Sequence, residues 1–218
     1  MIREQSGPPA GRANVAVTAT ATFNHQSLFS DSPKPMTIKG PTMAIQRLNH
    51  AVLYVRNVER SVTFYTTLLG FRTVFRLHAD GDRVPEVAFL QAEGSSNDHD
   101  LGLLQIDGPA DGPEARGRTA GLTHLAWEVE TLAELKQVRT RLIEAGALVN
   151  ETDHGTTKAL YAHDPDGLEF EVCWLMPAEL ITSETGRTAT MPLDLDSDIE
   201  RFGADTLGGI GVSAPVAR

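Results

Sequence analysis

The chain has 218 residues, of which 41% are hydrophobic, so it can bury a core as one domain or two small ones. A formal net charge of -10 argues against nucleic acid and anionic membrane surfaces as partners, and a small organic substrate fits that balance better. The single cysteine, Cys173, excludes an intrachain disulfide and fits a cytoplasmic location; no apolar run approaches the ~20 residues of a membrane span, and the N-terminus lacks the shape of a signal peptide.

Residues 1–42 read as a disordered N-terminal extension, dominated by Ala, Thr, Ser, Gly and Pro without an amphipathic period, with His25 solvated and Met36 or Met43 as alternative starts. The ordered domain is expected over 43–177. Leu48 to Val55 reads as a strand, and Asn57 can cap the helix after it. Val58, Val62, Tyr65 and Leu69 fall on one helical face, and Gly70 suits the end of that helix. Strands are expected over 71–77, 86–92 and 100–106, with His99 at the entry to the last. Residues 107–121 read as a loop of about fifteen residues, long enough to be functional or mobile.

The pattern then returns. Leu122-Thr123-His124 answers Leu48-Asn49-His50, and both segments end in a valine, Val129 and Val55. Thr131 and Glu134 form a capping box. Leu135, Val138 and Leu142 mark a helical face that Gly146 ends, and Ala147–Asn150 begins another strand. Thr152 to Glu171 reads as strand, turn, strand. Asp164-Pro165-Asp166-Gly167 gives a type I turn its preferred residues. Beyond it, Leu168, Phe170, Val172 and Trp174 share one face, with Glu169, Glu171 and Cys173 on the other. The chain thus holds two βαβββ repeats, over about 45–106 and 120–176. Residues 178–218 form a C-terminal extension with a short helix over 195–202, either packed on the domain or loose.

Two like units pair about a pseudo-twofold axis, which sets His50 and His124 across it on equivalent strand faces. Glu171, half-buried on the final strand, can complete a two-His, one-carboxylate triad of the kind that holds Fe(II) in non-haem oxygenases. The alternative is a pair of satisfied core histidines. His163 and His78 read as solvent-facing, Cys173 as a small apolar residue, and Trp127, Phe89 and Phe170 as core.

Leu48-Asn49-His50, Leu122-Thr123-His124, Thr152-x-His154, Leu160-Tyr161, Asp164-Pro165-x-Gly167 and Glu171 together resemble the vicinal-oxygen-chelate superfamily. Within it they are most similar to type I extradiol ring-cleaving dioxygenases of the single-module catechol 2,3-dioxygenase kind. The resemblance covers about residues 45–176. It implies an α+β fold in which the two βαβββ repeats form an open, curved, barrel-like sheet cleft with helices outside. It implies Fe(II) or Mn(II) held by His50, His124 and Glu171. It implies that His99 is the acid–base histidine and that His154 and Tyr161 stand near the bound diolate and oxygen. A catechol-type substrate, O2 and a homo-oligomer follow. Residues 107–121 are an insertion relative to the two-module enzymes. Rival readings are a glyoxalase-like or fosfomycin-inactivating metalloenzyme, which needs no His99, His154 and Tyr161 set, and a metal-free binding protein of the bleomycin-resistance kind, which needs no triad.

Overall fold

The computed structural model describes residues 45, 47–78, 85–107, 121–183, 185 and 190–209. Contacts divide the chain into residues 1–45, of which only Ile45 is described, and residues 46–218. The expected N-terminal tail, most of the 107–121 loop and the glycine-rich C-terminal end lie outside the described residues.

The second unit runs β1 (Ala51–Val55), α1 (Val58–Leu69), β2 (Arg72–Leu77), β3 (Val87–Gln91) and β4 (Leu101–Gln105), then β5 (Leu125–Glu128), α2 (Leu132–Glu144), β6 (Leu148–Asp153), β7 (Thr157–His163) and β8 (Glu169–Leu175). This is βαβββ twice. A two-residue strand β9 (Met191–Pro192) and a helix α3 (Leu195–Phe202) follow. One sheet has the order β1-β4-β3-β2 and the other β5-β8-β7-β6-β9. Each repeat pairs its first strand in parallel with its last, β1 with β4 and β5 with β8, and the remaining ladders are antiparallel. The fold is α+β with two open sheets, as the resemblance implies. Strands β1 and β5 are the outer strands of separate sheets and do not pair with each other.

Local sequence explains the helices. Asn57 accepts from Arg60 N at 2.8 Å and starts α1, and Gly70 ends it at φ 73, a conformation that costs glycine little. Thr131 and Glu134 form the capping box of α2. The buried stripes are Val58, Ser61, Val62 and Tyr65 on α1 and Leu132, Leu135, Val138 and Leu142 on α2. The strands expected from Leu48 and Leu122 begin later, at Ala51 and Leu125. Their parallel ladders begin only at Leu101 and Phe170, and Asn49 O instead accepts from the Asn97 side chain at 2.8 Å. The β6 strand instead runs beyond Asn150 to Asp153, because β7 pairs with it throughout.

Two cores form, one per repeat, and α1 serves both. Phe64, Leu69 and Trp127 pack against the cluster of each. The 164–167 turn locks the second repeat to the first. Asp164 accepts from Asp166 N, Leu168 N and the Tyr65 hydroxyl, and Asp166 accepts from Arg56 Nε at 2.6 Å and from Arg56 N at 3.2 Å. Both carboxylates are buried, and burial of such groups is tolerable only with partners of this kind.

The described part of the C-terminal extension packs on the domain. Strand β9 pairs with β6, and Trp174 Nε1 donates to Thr206 O at 3.2 Å. Buried Lys158 reaches Asp153 at 2.7 Å and Asp198 of α3 at 3.2 Å. Of the two alternatives left open for this segment, the described residues follow the packed one.

Candidate functional site

The ladders of the second sheet gather one set of polar side chains. Glu171 on β8 stands opposite Ala126 of β5 and Tyr161 of β7. His124 lies one residue before β5, so alternation puts its ring on the face that carries Ala126 and Glu171. Its Nε2 lies 3.2 Å from Glu171 Oε2. The opposite face of β8, with Phe170, Val172 and Trp174, fills the core, which explains why the strand is so regular. Glu171 is only 8% exposed.

Tyr161 borders this couple. Burial, then the charge of Glu171 and a hydrogen bond to it, push the phenol up to about 12. It therefore stays protonated. Its oxygen meets His154 Nε2 at 3.1 Å, and the His124 and Tyr161 rings are edge to face at 5.6 Å. His154, Tyr161, Glu171 and His124 are thus joined in one chain of contacts. Glu169 flanks it, with Oε1 3.7 Å from His124 Nδ1 and Oε2 3.8 Å from His163 Nε2. His163 ends β7 and is partly buried, which corrects the expectation of a solvent-facing turn residue. Glu169 was legible only as a member of the Glu-x-Glu face, and nothing local marked it as a neighbour of His124.

His50 and His99 form a second cluster. Their ring centroids are 4.5 Å apart, and His99 stacks on Phe89 at 4.6 Å. Phe89 stacks in turn on Phe75 at 5.5 Å, so Phe89 lies in an aromatic row as well as in the sheet. His99 Nδ1 donates to Asp98 Oδ2 at 2.8 Å, which fixes the tautomer and leaves Nε2 available. His50 is exposed and bonds only its neighbour Asn49, at 2.7 Å. Among the described residues no contact joins this cluster to the first, and no three His, Cys, Asp or Glu side chains converge to hold a metal. The reason is topological: the repeats are joined through α1 and the 164–167 turn, not through β1 and β5. His78 is exposed, 3.7 Å from Glu86.

His124 and Glu171 nonetheless suit a divalent metal. Imidazole nitrogen and carboxylate oxygen bonded to one ion at roughly 2.1 Å, at right angles, stand about 3 Å apart, close to the observed 3.2 Å. His124 Nδ1 is buried without a hydrogen-bond partner, so the ring owes its placement to Nε2 and packing.

Cys173 shares this face but is inert. Burial, then Glu171, pushes its thiol up to about 12. With 7% exposure it should resist iodoacetamide in the native chain at pH 8 and react fully in denaturant. Mass spectrometry of the alkylated chain checks this, and rapid native alkylation would contradict the placement.

A family model described as the Glyoxalase/Bleomycin resistance protein/Dioxygenase superfamily matches residues 47–172. The chain belongs to this superfamily. It is 30% identical over 125 residues to the catechol-2,3-dioxygenase of Bacillus subtilis (strain 168), covering 57% of this chain and 40% of that protein. It is 28% identical over 137 residues to the manganese-dependent 2,3-dihydroxybiphenyl 1,2-dioxygenase of Geobacillus genomosp. 3, covering 60% and 37%. It is 31% identical over 129 residues to a lactoylglutathione lyase of Neisseria meningitidis serogroup A, covering 57% and 88%. The chain spans about two fifths of the length of the two dioxygenases. Superfamily membership accounts for the paired βαβββ units, and the relatives named differ in chemistry. Among the described residues no helix is long and apolar enough to cross a membrane.

Proposed function

We propose that this chain is a cytoplasmic, metal-dependent extradiol dioxygenase that opens a catechol-type ring with O2 to a semialdehyde, in aromatic compound catabolism. The observation that carries the reading is the His154–Tyr161 hydrogen bond set directly beside the His124–Glu171 couple. An isomerase or lyase has no need of a protonated phenol and an imidazole at that point.

His124 and Glu171 hold Fe(II) or Mn(II) in this reading, and His50 is the third ligand. His50 is exposed beside the outer strand β1, and the couple lies beside the outer strand β5. We propose that a second copy of the chain brings the two together, so that a homo-oligomer carries complete sites. The ion, when bound, supplies Lewis-acid and electron-transfer chemistry to the diol and O2.

The chain's own groups do the rest. Tyr161, kept protonated, offers its hydroxyl hydrogen to a substrate oxygen. His154 steadies that hydroxyl from the other side. His99, with Nδ1 committed to Asp98, takes and returns a proton at Nε2.

A second reading, a glyoxalase-like lyase, is favoured by the 88% coverage of the lactoylglutathione lyase. One experiment separates the two. Protein purified without oxygen is assayed for iron and manganese, then given catechol and air. Stoichiometric metal and a yellow ring-opened product are expected. Metal without product on several catechols would move the assignment to the lyase. Absence of metal after reconstitution would overturn both.

A further inference from the structure

Glu128 stands two residues beyond Ala126 on the strand face that carries the His124–Glu171 couple, and among the described residues no cationic side chain pairs with it. It follows Ala126 by two positions on β5 and faces Cys173, as Ala126 faces Glu171. Strand alternation therefore puts His124, Ala126 and Glu128 on one face, with Glu171, Cys173 and Tyr161 beside them. Two residues along a strand cover roughly 6.6 Å. That is comparable to the span from the diol of a metal-bound catechol to a substituent on the far side of its ring. Glu128 is exposed, at the border of a cavity of about 730 Å³ that His124, Glu171 and Tyr161 do not line. Its side chain makes no hydrogen bond or ion pair among the described residues, unlike those of Glu151, Glu86 and Glu134. A carboxylate left open one rung from the ligand couple has a consequence for what can bind there.

We propose that Glu128 selects catechols whose ring substituent carries a cationic amine, and rejects those whose substituent carries a carboxylate. The inference rests on the dioxygenase reading and deepens it by naming the substrate class. An ammonium group on a short chain reaches the Glu128 carboxylate while the diol stays at His124 and Glu171. A carboxylated substituent would set two like charges side by side. The net charge of -10 favours the same sign of substrate at longer range.

The test uses the full chain, metal-loaded and metal-free, with 4-(2-aminoethyl)catechol and 3,4-dihydroxyphenylacetate. Dissociation constants are measured without oxygen, so no turnover is needed, and kcat/KM is measured in air. Wild type is expected to favour the amine by roughly tenfold or more in both quantities. Glu128→Gln should bring the ratio towards one, and Glu128→Lys should invert it, with circular dichroism checking that both variants fold. A wild-type ratio near one, or a preference unchanged in both variants, would overturn the role of Glu128 while leaving the dioxygenase reading intact. Failure of every catechol, unsubstituted catechol included, to bind or turn over would overturn the dioxygenase reading and this inference with it.

Discussion

Glu171→Ala is expected to lose bound iron or manganese, and all measurable ring cleavage with it. Removing a group that merely orients a metal ligand costs roughly 10–100-fold in affinity. Removing the ligand itself should cost more, because His124 would then face the ion without a carboxylate partner. The buried position adds to the effect, since no water-exposed carboxylate can swing in to replace a side chain that is 8% exposed. Glu169 is the nearest substitute, and its carboxylate stands on the Nδ1 side of His124 rather than at Nε2. His99→Asn should behave differently. That variant should keep its metal and lose about 10²–10⁴-fold in turnover, the range of a positioned acid–base group. Elemental analysis after anaerobic loading and dialysis, run beside a rate assay, separates the two. Stoichiometric metal in the Glu171→Ala protein would refute the ligand assignment.

Trp174→Ala should produce the largest loss of stability, about 3–5 kcal/mol. Trp174 is fully buried in the core of the second repeat. Its indole nitrogen ties the C-terminal extension to the domain through Thr206 O, and its ring packs near Phe202 of α3 at 6.3 Å. The substitution leaves a large void and a carbonyl without its donor, and both effects act in the same direction. Against the total stability of ~5–15 kcal/mol usual for a domain, that loss is large. Urea unfolding with an unchanged slope and a lowered midpoint would report it. A change below about 1 kcal/mol would show that the extension does not depend on this contact.

What was legible in the sequence was local. The caps at Asn57 and Thr131, the stripes on α1 and α2 and the turn at Asp164-Pro165-Asp166-Gly167 all depend on residues within a few positions of one another. They stand where the pattern expects them. The neighbourhood of His124, Glu171, Tyr161 and His154 was legible for a related reason. Tyr161 and Glu171 lie on the neighbouring strands β7 and β8, and His124 and His154 lie at the mouths of β5 and β7, an arrangement that follows from the repeat. What escaped were contacts between distant parts. The bond from Arg56 to Asp166 spans 110 positions, and that from Tyr65 to Asp164 spans 99. Those two bonds decide how the repeats sit on each other, and no periodicity records them. The expectation of His50, His124 and Glu171 in one cleft assumed that equivalent residues of the two repeats face each other across a pseudo-twofold axis. Within the described chain they meet at α1 and the 164–167 turn instead, and His50 stays apart from His124 and Glu171. The packing of α3 and β9 escaped likewise, because a two-residue strand and an eight-residue helix are too short to announce a docking face.

The doubled architecture invites the idea that either half could stand alone, or melt alone. Phe64, Leu69 and Trp127 rule against that, since each belongs to the interior of both halves. Separating the halves would expose all three side chains. The described unit should therefore unfold as one cooperative block, with calorimetric and van't Hoff enthalpies in agreement. A gene fragment ending at the close of the first repeat would yield a polypeptide without a finished interior. Each repeat finishes the other's interior.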